Sequence, residues 1–425
     1  MPRSAATIAG LIALFTCSAV LALEPASTPT FPATDWPWWR GPARNGVAAV
    51  QEVPLNWSET ENVLWKAPVP GRGHGSPTVV GDRIYLATAD EEREVQSVLC
   101  YDRGTGREIW KTDVHVGHLT KKGNKKSTQA SASVACDGER LFINFLNNDA
   151  VFTTALDLDG QQLWQTRITD YVVHQGYGSS PAIYGPLVLV TADNKGGGAI
   201  AGLDRATGQI VWRHDRPATP NYPSPIIHDV AGRTQLLLTG CDLVSSFDPL
   251  SGNLLWEIEG ATTECVTSTV VCGDLMFTSG GYPKNHIAAV RADGSGDIAW
   301  EIGTRNYVPS LLVYDGYLYA STDAGVAMCW RCNDGAEMWK GRLGGTFTSS
   351  PVLVGDKILA TNEAGESFWF AATPEEFKLI GKNRLGDQAF ATPTICGNRI
   401  YHRAAEVEEG VRKEYLYCIG KRAPR

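Results

Sequence analysis

The run Gly202-Leu203-Asp204-Arg205-Ala206-Thr207-Gly208-Gln209-Ile210-Val211-Trp212 decides the fold, because it recurs. The same eleven-residue phrase returns as Cys100 to Trp110 and as Ser246 to Trp256, each with Asp, then Gly four residues on, then Trp four further. Looser copies end at Trp164, where the turn is one residue shorter, at Trp300, rearranged around Gly294 and Gly296, and at Trp339, where Arg331 replaces the Asp. Counted from Trp65, these tryptophans are 45, 54, 48, 44, 44 and 39 residues apart, the period of a propeller blade.

A second marker precedes each phrase: Ser76-Pro77, Ala132-Ser133, Ser180-Pro181, Ser224-Pro225, Ser268-Thr269, Pro309-Ser310, Ser350-Pro351 and Thr392-Pro393. Eight markers predict eight repeats. Between marker and Trp stand short β-branched runs broken by Gly and Asp, four per repeat, clearest from Pro181 to Arg213. Asp bonds backbone amides across the turn before the fourth strand, and Gly accepts positive φ there. The Trp ring suits the wedge between radially arranged sheets, with its N–H reaching a backbone carbonyl. The last repeat supplies three strands and stops, while Asn62 to Ala67 is an orphan fourth strand before the first marker. The expected fold is therefore all-β: an eight-bladed β-propeller of four-stranded antiparallel blades, closed by an N-terminal strand that completes the last blade. The seventh repeat lacks its Trp, and Phe377-Lys378-Leu379-Ile380 is the expected substitute.

Composition agrees with one folded body. With 43% hydrophobic and 20% charged residues the chain is neither disordered nor collagenous. There are 46 acidic residues against 38 basic ones, a net charge of -8, and no basic block long enough to track a phosphate backbone, so no nucleic-acid partner is expected. Arg3 followed by the apolar run Ile8 to Leu23 reads as a cleaved secretory signal over residues 1–22, which predicts a periplasmic or secreted protein. Cys17 follows Phe15 and Thr16 where a lipoprotein signal carries small residues, so lipid anchoring there is not expected, and nothing later is apolar enough to span a membrane. The expected organisation continues with an N-terminal extension or clasp over 23–61, a single propeller over 62–420 and a tail over 421–425. Nine cysteines follow the signal, scattered singly among apolar residues, so few disulfides are expected. The lone pair Cys329-Trp330-Arg331-Cys332 makes a poor zinc site; strand packing or one local bridge is its reading.

The repeated phrase resembles the tryptophan-docking motif of the PQQ-like propellers, a family that includes quinoprotein dehydrogenases and BamB-like scaffolds. The N-terminal Trp36-Pro37-Trp38-Trp39-Arg40-Gly41-Pro42-Ala43-Arg44-Asn45-Gly46 and Gly73-His74-Gly75-Ser76-Pro77 are similar to an exported subgroup of unsettled activity. The resemblance covers roughly residues 36 to 420 and implies the propeller. It does not imply a chemistry, since one propeller hosts enzymes and scaffolds alike. Quinoprotein alcohol dehydrogenases add adjacent cysteines beside the quinone, Glu and Asn ligands to calcium and an Asp base. No Cys-Cys pair occurs here, and those ligand motifs match no position. Neither a metal site nor PQQ with calcium is expected, and catalytic residues stay unassigned.

In a propeller the connections leading into each first strand converge on the central channel. Here they carry Arg72 and His74, Gln129, His174 and Tyr177, Asn221 and Tyr222, Glu264, Arg305 and Tyr307, Phe347, and Gln388 with Phe390. These groups either form a pocket for a polar small molecule or peptide, or satisfy one another along the bore. Two loops add candidates. Lys121-Lys122-Gly123-Asn124-Lys125-Lys126 reads as a solvated insertion or a surface for anions. Tyr282-Pro283-Lys284-Asn285-His286 puts Lys284 and His286 over the channel or on the surface. The expected function is an exported binding or protein-interaction scaffold of the cell envelope, with an envelope protein or polar small molecule as partner. The alternative is a divergent quinoprotein oxidoreductase or a carbohydrate-active enzyme with its site at the channel.

Overall fold

The computed structural model describes residues 27–422; the signal segment, Cys17 and the last residues of the tail lie outside that range. Eight four-stranded antiparallel sheets form the blades of a propeller. Blade 3 shows the pattern: Ala182–Tyr184, Leu187–Thr191, Gly198–Asp204 and Ile210–Arg216 pair in that order. The inner strands are buried on both faces and read as apolar runs, whereas the outer strand alternates. Among the described residues no helix is long and apolar enough to cross a membrane.

Closure follows the orphan strand. Val63–Val69 lies beside the C-terminal strand Val411–Gly420 in antiparallel register, Val63 opposite Ile419 and Val69 opposite Glu414. Blade 8 is thus built from both ends of the chain, and its edge is paired rather than open. Blade 7 gains a fifth strand, Val47–Ala48, which runs parallel to Val352–Val354.

The recurrent phrase has a blade-to-blade function. Every Trp of the series but Trp339 lies on a turn glycine of the following blade: a Cβ on Gly252 would come within 2.4 Å of the Trp212 ring, and Gly106, Gly208 and Gly335 meet Trp65, Trp164 and Trp300 in the same way. At Trp65, Trp164 and Trp300 the indole N–H donates to a carbonyl of that next blade, to Arg103 at 3.2 Å, Arg205 at 3.1 Å and Cys332 at 2.7 Å, whereas Trp256 donates to Gln235 of its own blade at 2.8 Å and the Trp212 N–H has no partner. Glycine is needed at these turns twice over, for its positive φ and for the flat ring stacked on it.

One expectation is corrected. Phe377 does not replace the seventh Trp: it packs on Trp339 of blade 6, with ring centroids 5.5 Å apart. The equivalent outer-strand position is Gly381, opposite Trp369. The extension fills the space a side chain there would take. Leu55 accepts from Asn383 at 2.8 Å, the Trp57 amide donates back to Asn383 at 2.8 Å, and the Trp57 ring meets Trp369 edge-on at 6.2 Å. Of the two readings of Cys329 and Cys332, strand packing is what the structure shows, both thiols being free and buried. They face opposite sides of blade 6, Cys329 into the core shared with blade 7 and Cys332 into the core shared with blade 5.

Candidate functional site

The serine markers build the inner wall of the channel. The backbone N–H of Ser76 donates to the Ser133 hydroxyl at 2.9 Å, Ser133 to Ser180 at 2.9 Å and Ser180 to Ser224 at 2.9 Å. The series resumes with Ser268 to Ser310 at 3.0 Å, Ser310 to Ser350 at 2.9 Å and Ser350 to Thr392 at 2.9 Å. Six of the eight blade junctions are thereby tied at the bore, all but those of blades 4 with 5 and 8 with 1. Sequence reading used these residues only to count repeats; the signal for their role is that each marker contains a hydroxyl.

One end of the bore is closed by the N-terminal clasp. Trp36 pairs with Val79 of blade 1, Pro37 accepts from the Cys136 amide of blade 2, and Arg44 donates to the Ile183 carbonyl of blade 3 at 2.5 Å. Arg40 donates to the carbonyls of Leu311 at 2.5 Å and Pro351 at 3.1 Å, in blades 6 and 7. Its burial among carbonyls, without a carboxylate, pushes its pKa down to about 9. Trp39 faces the channel and donates from Nε1 to Ser268 Oγ at 2.8 Å, in the gap of the hydroxyl series.

Above Trp39 lies a cavity of about 340 Å³, lined by the marker hydroxyls and, toward the mouth, by His74, Tyr177, Tyr222, Tyr307 and Phe390. His74 stacks on Phe390, ring centroids 4.6 Å apart and planes 17° from parallel. Burial, reinforced by the guanidinium groups of Arg72, Arg403 and Arg412, holds His74 well below the usual histidine range, so the ring is neutral. Its Nε2 has no hydrogen-bond partner, and neither does the Tyr222 hydroxyl. Across the bore Tyr307 donates to Glu264 Oε2 at 2.9 Å, and His174 Nε2 lies 3.0 Å from Glu264 Oε1. Burial first, and then the Glu264 acceptor, raises the Tyr307 phenol. Tyr177 is satisfied by the Thr191 carbonyl at 2.9 Å.

The remaining candidates lie elsewhere. Arg72 donates to the Lys126 carbonyl at 3.2 Å and shares a neighbouring crevice with Gln129, whose amide donates to Thr120 at 2.8 Å. Arg305 is exposed, donates to the Gly281 carbonyl at 2.8 Å and stands over the Tyr307 ring. Lys284 and His286 do not reach the cavity: both bind Glu301 on the outer strand of blade 5, at 3.2 and 2.9 Å. The basic loop carries a contact that the sequence did not show. Lys126 crosses from blade 2 to Glu363 of blade 7 at 2.7 Å, and Asn124 binds Gln175, so the loop straps the mouth.

This architecture defines a PQQ-like β-propeller with a channel plugged at one end and open at the other. The family described as "Outer membrane protein assembly factor BamB" matches residues 94–340 and 283–374, and the chain belongs to that family. A polyvinylalcohol dehydrogenase of Sphingopyxis sp. (strain 113P3) is 27% identical over 226 residues, 47% of this chain and 31% of its own length. A polyvinylalcohol dehydrogenase of Pseudomonas sp. is 24% identical over 218 residues, with 48% and 32% covered. The chain spans about a third of the length of these curated relatives. BamB from Moraxella catarrhalis superposes with a TM-score of 0.59 at 14% identity, covering 84% of this chain and 98% of that one. The quinohemoprotein alcohol dehydrogenase of Comamonas testosteroni superposes at 0.67 and 12% identity, with 92% and 81% covered. At these identities the structures share the fold.

A bound PQQ would bring three carboxylates and a calcium ion. The cavity lining offers mainly neutral hydroxyls and aromatic rings; Lys126, its one cation, is committed to Glu363. Glu264, beside the lining, already has both oxygens engaged. Among the described residues no three His, Cys, Asp or Glu side chains converge as a metal-binding group. This donor set does not fit PQQ with calcium.

Proposed function

We propose that the protein is an exported binding scaffold of the cell envelope whose channel mouth captures a polar small molecule or a segment of an envelope partner. The observation that carries this reading is the pair of unpartnered polar atoms, His74 Nε2 and the Tyr222 hydroxyl, held at one cavity. Buried polar atoms are nearly always paired, so two orphans facing one cavity mark where a ligand or ordered water completes the set. Export rests on the signal read over residues 1–22. Native mass spectrometry of the protein purified from its own host tests the reading: a retained mass is expected, reduced in Tyr222→Phe, and bare protein under gentle ionisation overturns it.

A second reading is an oxidoreductase acting on a polymeric alcohol, favoured by the similarity to the two polyvinylalcohol dehydrogenases. Reconstitution with PQQ and calcium separates the two. The scaffold reading expects no quinone absorbance and no dye-linked alcohol oxidation; stoichiometric quinone with turnover establishes the enzyme.

A further inference from the structure

Building on the channel-binding reading, we propose that the ligand is a neutral saccharide, a mono- or disaccharide or the end of a glycan chain, seated between an aromatic platform and a hydroxyl-rich wall. The platform is the His74–Phe390 stack, contributed by blades 1 and 8. In a ring of eight blades the point opposite that junction is the junction of blades 4 and 5, where Tyr222 and Glu264 lie, with Tyr307 of blade 6 beside them. A pyranose has the matching two-sided character: a face of C–H groups that packs on a flat ring, and a rim of hydroxyls that both donate and accept.

The hydrogen-bond inventory favours such a ligand. Ser133, Ser180, Ser224, Ser310, Ser350 and Thr392 each line the cavity. All six take one backbone N–H from the marker of the preceding blade. That bond uses a lone pair and leaves the hydroxyl proton free, so the bore presents a circle of donors. Tyr307 spends its proton on Glu264 and presents an oxygen as acceptor, while the Tyr222 hydroxyl, approached only by the Gln175 amide, keeps its proton free. A polyol supplies acceptors for the first group and donors for the second.

Charge narrows the class. The only cation of the lining is Lys126, paired with Glu363, and both Glu264 oxygens are occupied. A carboxylated or phosphorylated ligand would be desolvated without a free counter-charge, and so would an ammonium. At about 340 Å³ the cavity is at the small end of the range for ligand clefts, about 300–1,000 Å³, which suits a short saccharide rather than a long polymer segment.

Isothermal titration of the full chain with cellobiose, maltose, lactose, chitobiose, sorbitol, glucuronate and a neutral tetrapeptide tests the assignment. At least one neutral disaccharide is expected to bind, more tightly than open-chain sorbitol, and Phe390→Ala and Tyr222→Phe are each expected to weaken it by roughly tenfold. Tyr222→Phe removes one unpaired hydroxyl and keeps the ring, so it reports binding even if Phe390→Ala misfolds. Binding of glucuronate or peptide alone, sensitive to Tyr222→Phe, overturns the saccharide and leaves the channel reading in place. If no probe binds, the saccharide is refuted, and if native mass spectrometry also shows bare protein the channel reading is refuted with it.

Discussion

Lys126, in the connection leading into blade 2, donates to both carboxylate oxygens of Glu363 in blade 7, at 2.7 and 3.0 Å. Glu363 is fixed in turn by the Thr348 hydroxyl at 2.6 Å. Two blades that share no sheet are thus joined across the mouth of the cavity. The Lys126 side chain is 60% exposed, so the pair contributes less than about 1 kcal/mol to global stability. Its effect is local: it holds the strap over the opening.

Lys126→Ala is therefore expected to leave the denaturant midpoint nearly unchanged while amide exchange over residues 120–127 accelerates. Hydrogen exchange read by mass spectrometry checks this. Unchanged protection of the strap would mean that Asn124, through its bonds to Gln175, holds the loop without the lysine.

Gly252 and Gly355 separate the two demands made on turn glycines. Both have positive φ, +72° and +59°. A Cβ at Gly252 would strike the Trp212 ring at 2.4 Å, whereas one at Gly355 would meet nothing within 4 Å. Gly355→Ala should cost the left-handed backbone penalty alone, roughly 1–2 kcal/mol. Gly252→Ala should cost that and an overpacking penalty of about 1–3 kcal/mol more. Equal losses in urea unfolding would show that the indole gives way freely and that the stack does not constrain the blade interface.

The propeller was legible because its driving contact is repeated at near-constant spacing: the Trp of one blade must meet the Gly of the next, and both residues stand out in the sequence. The orphan strand was legible because a three-stranded last repeat leaves an edge that must be paired. What stayed hidden involves contacts made once. Nothing periodic announces that Lys126 meets Glu363, 237 residues away, or that the extension from Leu55 to Trp57 occupies the place of a seventh Trp and leaves no room for a large side chain at Gly381. At the channel the sequence singled out His74, Tyr177, Tyr222, Glu264 and Tyr307, which the fold gathers, together with Lys284 and His286, which an ion pair with Glu301 holds on the outer strand. Loop position alone does not encode which way a side chain turns.

His402 gives the stability a pH dependence. The ring is 2% exposed in blade 8, neither nitrogen has a hydrogen-bond partner, and burial pushes its pKa down to about 4. Between pH 6.5 and 4 the unfolded chain binds a proton that the native chain refuses, so stability falls as pH falls through that window; above it the term is absent. His228, pushed down to about 4 chiefly by burial, adds in the same direction. His402→Phe keeps a flat ring and removes two unpaired nitrogens. It is expected to gain about 1 kcal/mol at pH 7 and to lose less stability than the parent between pH 7 and 5. Unfolding midpoints at the two pH values check both parts, and parallel losses in parent and variant would place the acid sensitivity elsewhere.

Cys272 is set apart from the other described cysteines by its partner. It ends the first strand of blade 5, half-buried, and packs against the core that holds Cys332 across the boundary with blade 6. The neighbouring Cys332 thiol lowers the Cys272 pKa while its own is raised, and burial raises those of Cys100, Cys136, Cys329, Cys396 and Cys418 to about 12. The thiolate is the reactive form, so a lowered pKa and partial exposure together make Cys272 the first site of attack. Maleimide at pH 8 is expected to label Cys272 before any other described cysteine, located by peptide mass mapping of the folded protein. Cys332→Ala removes the neighbouring thiol and should slow that labelling, because the Cys272 thiolate loses the group that lowers its pKa. Labelling that begins elsewhere, or that is as fast in Cys332→Ala as in the parent, would show that exposure alone sets the reactivity and that the thiol pair across the blades does not.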